Sequence, residues 1–147
     1  MAVIYFRMLN EVLTHHKPDS WDSESYTNKR YKQVQVFGME HSRVLEEFSS
    51  DLRSRVEAVY RVQNPYLYGR YKLRVEQLQL RNDNVYEEKW YHPIAEDDMN
   101  VVMEYNCDYR RYTNPSLAQY NSKKPRFYKT PEAAEESVPT PTRLWWC

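Results

Sequence analysis

His92, within Trp90-Tyr91-His92-Pro93, has the most distinctive setting of any side chain here able to carry chemistry. An imidazole can move protons or hold a ligand near neutral pH, and it can equally sit buried in a strand; the residues around it leave both readings open. His15-His16 has no third ligand close by and reads as surface. Cys107 is followed by acidic Asp108 and has no basic partner at a fixed spacing, which argues against a reactive thiolate. Cys107 and Cys147 fit no metal-ligand spacing, so no metal site is expected, and two cysteines do not make a secreted disulfide framework. Tyr105, Tyr109, Tyr112 and Tyr120 are of a type that stacks on RNA bases or anchors a core and its loops.

Composition removes several classes. The chain has 147 residues but only two glycines, Gly38 and Gly69. Phosphate-cradling loops need several glycines so that backbone can approach the ligand. Walker-type and dinucleotide-fold sites are therefore excluded. Twenty-one basic and 21 acidic side chains cancel, so no blanket attraction to nucleic acid or membrane is expected. With 15% aromatic residues the chain is too rich in core formers to be disordered. No run approaches the ~18–20 apolar residues of a membrane span. Residues 1–13 are interrupted by Arg7, Asn10 and Glu11, unlike a signal peptide, which predicts a cytoplasmic or nuclear protein.

The elements that must position these residues follow from periodicity and capping. Val3 to Leu13 carries apolar residues at helical spacing and predicts a short helix. Residues 17–30 form a loop anchored by Trp21. Tyr31, Val34, Val36 and Phe37 predict a strand up to Gly38, and Val44, Leu45 and Phe48 predict a helix over His41–Phe48. From Arg53 to Val62 charged and apolar residues alternate, which predicts a strand. Asn64-Pro65 is a strong helix start, an amide cap followed by proline in the first turn. That helix runs to about Leu80 with Leu67, Tyr71, Val75 and Leu78 inward. Val85–His92 predicts a strand and Glu96–Tyr105 a helix with Met99, Val102 and Met103 buried. Residues 109–124 read as loop and Arg126–Lys129 as a short strand. Thr130-Pro131 repeats the cap-plus-proline start before Glu132–Ser137. Charge is segregated: the basic side chains at 53–81 face only Glu57 and Glu76, and the acidic ones at 83–108 only Lys89. Such blocks read as solvated faces or as partner surfaces.

Tyr60-Arg61-Val62-Gln63-Asn64-Pro65-Tyr66-Leu67-Tyr68, with Tyr71 one turn on, resembles the segment opening the catalytic domain of poly(ADP-ribose)-polymerase-type (PARP) ADP-ribosyltransferases. The likeness is nearest to the mono-ADP-ribosylating zinc-finger branch. Pro18-Asp19-Ser20-Trp21 resembles the Pro-x-x-Trp before that branch's first strand. Glu88 to His92 stands where the family has the His of its His-Gly-Thr strand, and Asn106-Cys107-Asp108-Tyr109-Arg110 resembles the exit of the next helix. The resemblance implies an α+β fold, the first half of an ADP-ribosyltransferase-like split β-sandwich with flanking helices, over residues 1–137, with a mobile tail at 138–147. It also implies that the cofactor-binding positions are His92, which binds a ribose hydroxyl of NAD, and Tyr128, which stacks on the nicotinamide.

The sequence departs from the family pattern at the points chemistry needs. Pro93 replaces the glycine whose backbone clamps the nicotinamide amide, and proline has no N–H to give; Ile94 replaces the threonine. The natural frame puts Phe127 at the stacking position, and a one-residue shift, which turns a strand side chain to the opposite face, restores Tyr128. The family's late glutamate has no counterpart before Cys147. No catalytic residue and no retained cofactor are therefore expected. The reading is a catalytically dead ADP-ribosyltransferase-like domain serving as a protein-interaction or adaptor module. An active NAD-dependent mono-ADP-ribosyltransferase and an RNA-associated binding module are the alternatives. The expected partner is another protein or a second copy, with no membrane. Leu144, Trp145 and Trp146 are expected to cover an incomplete sheet edge or to dock.

Overall fold

Short polar side chains set where three of the five described α-helices begin. The computed structural model describes residues 17–21, 30–81, 84–111 and 125–137. In chain order these hold β1 (Lys32–Gln35), α1 (Gly38–Leu45), α2 (Ser50–Arg55), β2 (Tyr60–Gln63) and α3 (Pro65–Gln79). A 3-10 turn (Glu96–Asp98) then leads into α4 (Met99–Tyr105), and α5 (Pro131–Glu136) follows a second 3-10 turn (Tyr109–Arg111). Strands β1 and β2 pair in a two-stranded sheet, so the described chain is of mixed α+β type. The helix expected over Val3–Leu13, the loop beyond Arg111 and the tail at 138–147 lie outside the described residues. No helix among the described residues is long and apolar enough to cross a membrane. The chain divides into two compact units, Met1–Gln33 with Val62–Glu87 and Val34–Arg61 with Glu88–Cys147.

In the first unit, α3 starts at the cap expected from sequence. The Asn64 side-chain oxygen accepts from the Leu67 amide at 3.1 Å, and Pro65 occupies the first turn, where its missing N–H costs nothing. Asn64 and Gln63 are buried, so the cap works in a site where an unsatisfied amide is expensive. Val75 and Gly69 are the buried residues of the helix. Tyr71, expected inside, is 42% exposed. Its hydroxyl donates to the Glu87 carboxylate and its ring lies 5.4 Å from the Lys72 ammonium, which keeps the polar end of the residue in water. Trp21, the expected anchor of its loop, sets its ring 5.2 Å from that of Tyr68.

In the second unit, three expectations shift. Helix α1 begins at Gly38 rather than His41 and ends at Leu45; its first residue has φ +61, a conformation glycine takes readily. No residue of α1 is buried, and Phe48, buried, lies past its end. The strand expected over Arg53–Val62 is helical as far as Arg55 and joins the sheet only at Tyr60. Local chemistry overrides the alternation there. Ser49 caps α2 by accepting from the Leu52 amide, and Arg55 pairs with Asp51 one turn back at 3.0 Å. Arg53 donates to the carbonyls of Leu45 and Phe48, at 3.0 and 3.2 Å, and so satisfies oxygens between the two helices. The helix expected from Glu96 opens as a 3-10 turn, because the Asp98 amide donates to the Ala95 carbonyl three residues back. Val102 and Met103 are then buried as expected, with Met99 only half-buried.

Helix α5 begins as read from Thr130-Pro131: the Thr130 hydroxyl accepts from the Ala133 amide at 3.2 Å. Two contacts tie it to α2 across 80 and 83 residues. The Glu132 carboxylate accepts from the Ser49 amide at 2.8 Å, and Glu135 pairs with Arg55. Ala134 is fully buried between them in sequence, which makes the α5 face toward the core a small one.

Asn64→Ala should lower the stability of the fold by about 0.5–2 kcal/mol, and Asn64→Asp or Asn64→Ser should recover most of it. Urea denaturation of the three variants measures this. Equal losses in all three would mean that shape at this position matters and the cap does not.

Candidate functional site

The candidate positions lie where two extended segments, 88–92 and 125–129, run side by side. Tyr91 and Tyr128 exchange both backbone hydrogen bonds, each at 2.8 Å, in an isolated antiparallel bridge. This is all that forms of the strand expected over Val85–His92. One residue on, the His92 ring Nδ1 donates to the Arg126 carbonyl at 2.7 Å. At the other flank Lys129 Nζ donates to Glu88 at 2.5 Å and lies 4.0 Å from the centre of the Trp90 ring. Glu47, just past α1, accepts from both Lys89 and the Tyr91 hydroxyl.

His92 has no exposed surface. Burial pushes its pKa down, opposed in part by the hydrogen bond to the Arg126 carbonyl. The imidazole is therefore neutral at pH 7, with its proton on Nδ1. Pro93, Ile94 and Ala95 continue into the interior behind it, all buried. The hydrogen bonds from Lys89 and then Tyr91 hold the Glu47 carboxyl below the usual range. Burial first, and Glu47 second, push the Tyr91 phenol up to about 12. In this network Glu47, Lys89, Tyr91, His92, Glu88 and Lys129 each have a hydrogen-bond partner.

The two cofactor positions read from sequence flank one bridge, His92 following Tyr91 and Tyr128 pairing with it. The aromatic ring beside His92 is that of Phe127, at 5.2 Å and tilted 40°. Tyr128 is the bridge residue, and its backbone is committed to Tyr91. Of the two adjacent aromatics, Phe127 is therefore the one with its ring beside the histidine. Among the described residues no group of His, Cys, Asp and Glu is placed to hold a metal ion, and Cys107 is half-buried. Tyr105 carries the Arg111 guanidinium over its ring at 4.1 Å, so its face is already used. Asn106, next to the thiol, has φ 62, unusual for a residue with a side chain. His15, His16, Tyr112, Tyr120 and Cys147 lie outside the described residues. Glu47, Lys129 and the Arg126 carbonyl were not legible as parts of this site, since partners some forty residues apart leave no local pattern.

A buried neutral histidine gives a pH signature. Its folded pKa lies below the unfolded value of about 6.5, so its contribution is complete above that pH and fades as pH falls through 6.5 toward the folded value. Urea midpoints between pH 7.5 and 5 should fall, with a slope of up to about 1.4 kcal/mol per pH unit from this group, and His92→Gln should flatten that part of the profile. A wild-type profile that is flat over this range, or unchanged in His92→Gln, would show that the imidazole titrates freely. No protein-family model matches this chain and no curated protein matches it, so the site is defined by its own geometry.

Proposed function

We propose that this chain is a catalytically inactive ADP-ribosyltransferase-like domain that works as a protein-interaction or adaptor module. The sealed state of His92 is the observation that carries this reading. In the family it resembles, the histidine must meet a ribose hydroxyl of NAD. An imidazole without exposed surface, whose Nδ1 already serves the Arg126 carbonyl, offers no face to a sugar. Pro93, buried directly behind it, has no N–H for the nicotinamide amide, and an amide left unpaired in a buried site costs about 1–3 kcal/mol. The residues present do not fit the cofactor.

Support for the family itself comes from the pairing of the two segments that the resemblance assigns to one nicotinamide site, His92 with its neighbours and Phe127-Tyr128. The split β-sandwich is part of the same proposal. An interaction role is supported by large apolar side chains left in water beside Gly38, Phe37 at 71% and Met39 at 78% exposed. The imidazole–aromatic approach of His92 and Phe127 favours one competing reading, an active mono-ADP-ribosyltransferase, which needs the segment behind His92 to open.

NAD at millimolar concentration should leave the melting temperature unchanged, and labelled NAD should give no automodification. A ligand at 100 times its dissociation constant adds about 2.7 kcal/mol, enough to move the midpoint by several degrees in a protein of this size. Labelling that vanishes in His92→Ala would establish the active reading instead.

A further inference from the structure

We infer that the outer face of α3 is a binding site for single-stranded nucleic acid. The inference rests on the first compact unit alone and is independent of the function proposed above. Arg70, Arg74 and Arg81 recur at spacings of four and seven, which puts them on one face of the helix and its final turn. All three are exposed, and none forms an ion pair with a described residue.

In the second unit most of the described cations have a carboxylate partner, the exposed Arg43 being an exception. There Arg55, Arg61, Lys89, Arg110, Arg111 and Lys129 are each matched to a carboxylate. On α3 the three cations Arg70, Lys72 and Arg74 share the helix with a single carboxylate, Glu76, which the helical spacing places away from the arginine face. Unmatched guanidinium groups in a row attract a row of anions, and the fork of each guanidinium suits a phosphate.

A second observation selects the polyanion. Tyr71 borders the arginine row and is 42% exposed, and its ring is the outer member of a run of aromatic rings. Tyr71 stands 6.1 Å from Tyr68, and Tyr68 stands 5.2 Å from Trp21. Lys72 lies within 5.7 Å of both tyrosine rings. A cationic track beside an exposed aromatic ring is what unstacked bases use, because every base has a π-face and every linkage a phosphate. A lipid surface asks for something else, a broad apolar face opposite the charges, and on α3 that face carries Val75 into the interior. Glu87 accepts from the Tyr71 hydroxyl, and with Lys72 over the ring at 5.4 Å a base is left the opposite side to stack on.

Fluorescence anisotropy of a labelled oligouridylate against the full chain tests this, with salt varied. The wild type should bind with a slope of log K against log salt near −2, about −0.7 for each of three phosphates. Arg74→Gln should reduce the slope by about 0.7, and Arg70→Gln with Arg74→Gln by about 1.4. Tyr71→Ala should weaken binding by about 5- to 150-fold, the factor equivalent to one stacked base. Tyr71→Phe, which keeps the ring, should bind like the wild type and covers the case in which Tyr71→Ala unfolds. Arg55→Gln, a cation already matched, should leave binding unchanged. No binding to the oligonucleotide would overturn the inference, as would binding indifferent to Arg74→Gln. Capture by phosphatidylserine vesicles in place of the oligonucleotide would overturn it in favour of a membrane surface.

Discussion

Two amide hydrogen bonds between Tyr91 and Tyr128 hold together the parts of the second unit that no helix connects. A single bridge is a weak structure by itself. Here it is bracketed, by the His92 imidazole on the Arg126 carbonyl and by Lys129 lying between the Glu88 carboxylate and the Trp90 ring. Glu47 then fastens the same segment to the end of α1 through Lys89 and Tyr91. Side-chain chemistry thus supplies the register that a longer ladder would otherwise provide. The neutrality of His92, its lack of exposure and the burial of Pro93 to Ala95 all depend on that register.

What was legible in the sequence is what is decided within a few residues. Asn64-Pro65 and Thr130-Pro131 announced their helices because an amide or hydroxyl cap followed by proline solves the problem of unpaired N–H groups locally. The mixed class and the burial of Val102 and Met103 were legible for the same reason. The strand expected over Arg53–Val62 failed because alternation is only a surface pattern. Ser49, Asp51 and Arg55 satisfy a helical turn, and Glu132 and Glu135, far along the chain, reinforce it. Tyr71 was misplaced by periodicity because a phenol can end at the surface through its hydroxyl. At the candidate site the histidine was legible, as was the aromatic residue that follows Arg126. Which of two adjacent aromatics meets the histidine was settled by the bridge register, and that has no sequence signal.

The two units treat charge differently. In the second, Arg55, Arg61, Lys89 and Lys129 tie together segments distant in sequence, and Arg110 and Arg111 pair locally with Asp108. On α3 they stand in water, beside tyrosine rings. A zero net charge conceals this division completely. Overall charge, used alone, argues against any polyanion partner; the positions of the charges carry the opposite message.

The ties between α2 and α5 have a consequence for how the chain matures. Ser49 meets Glu132 and Arg55 meets Glu135, so the second unit closes only when the chain has been made through α5. The segment from Val62 to Glu87, which belongs to the first unit, emerges before that. During synthesis α3 can therefore form early, with its cap and proline both local, while Ser49 and Arg55 of the α2 region wait for their partners on α5. The interleaved order of the two units thus leaves the ties of α2 unmade until most of the chain has been synthesised.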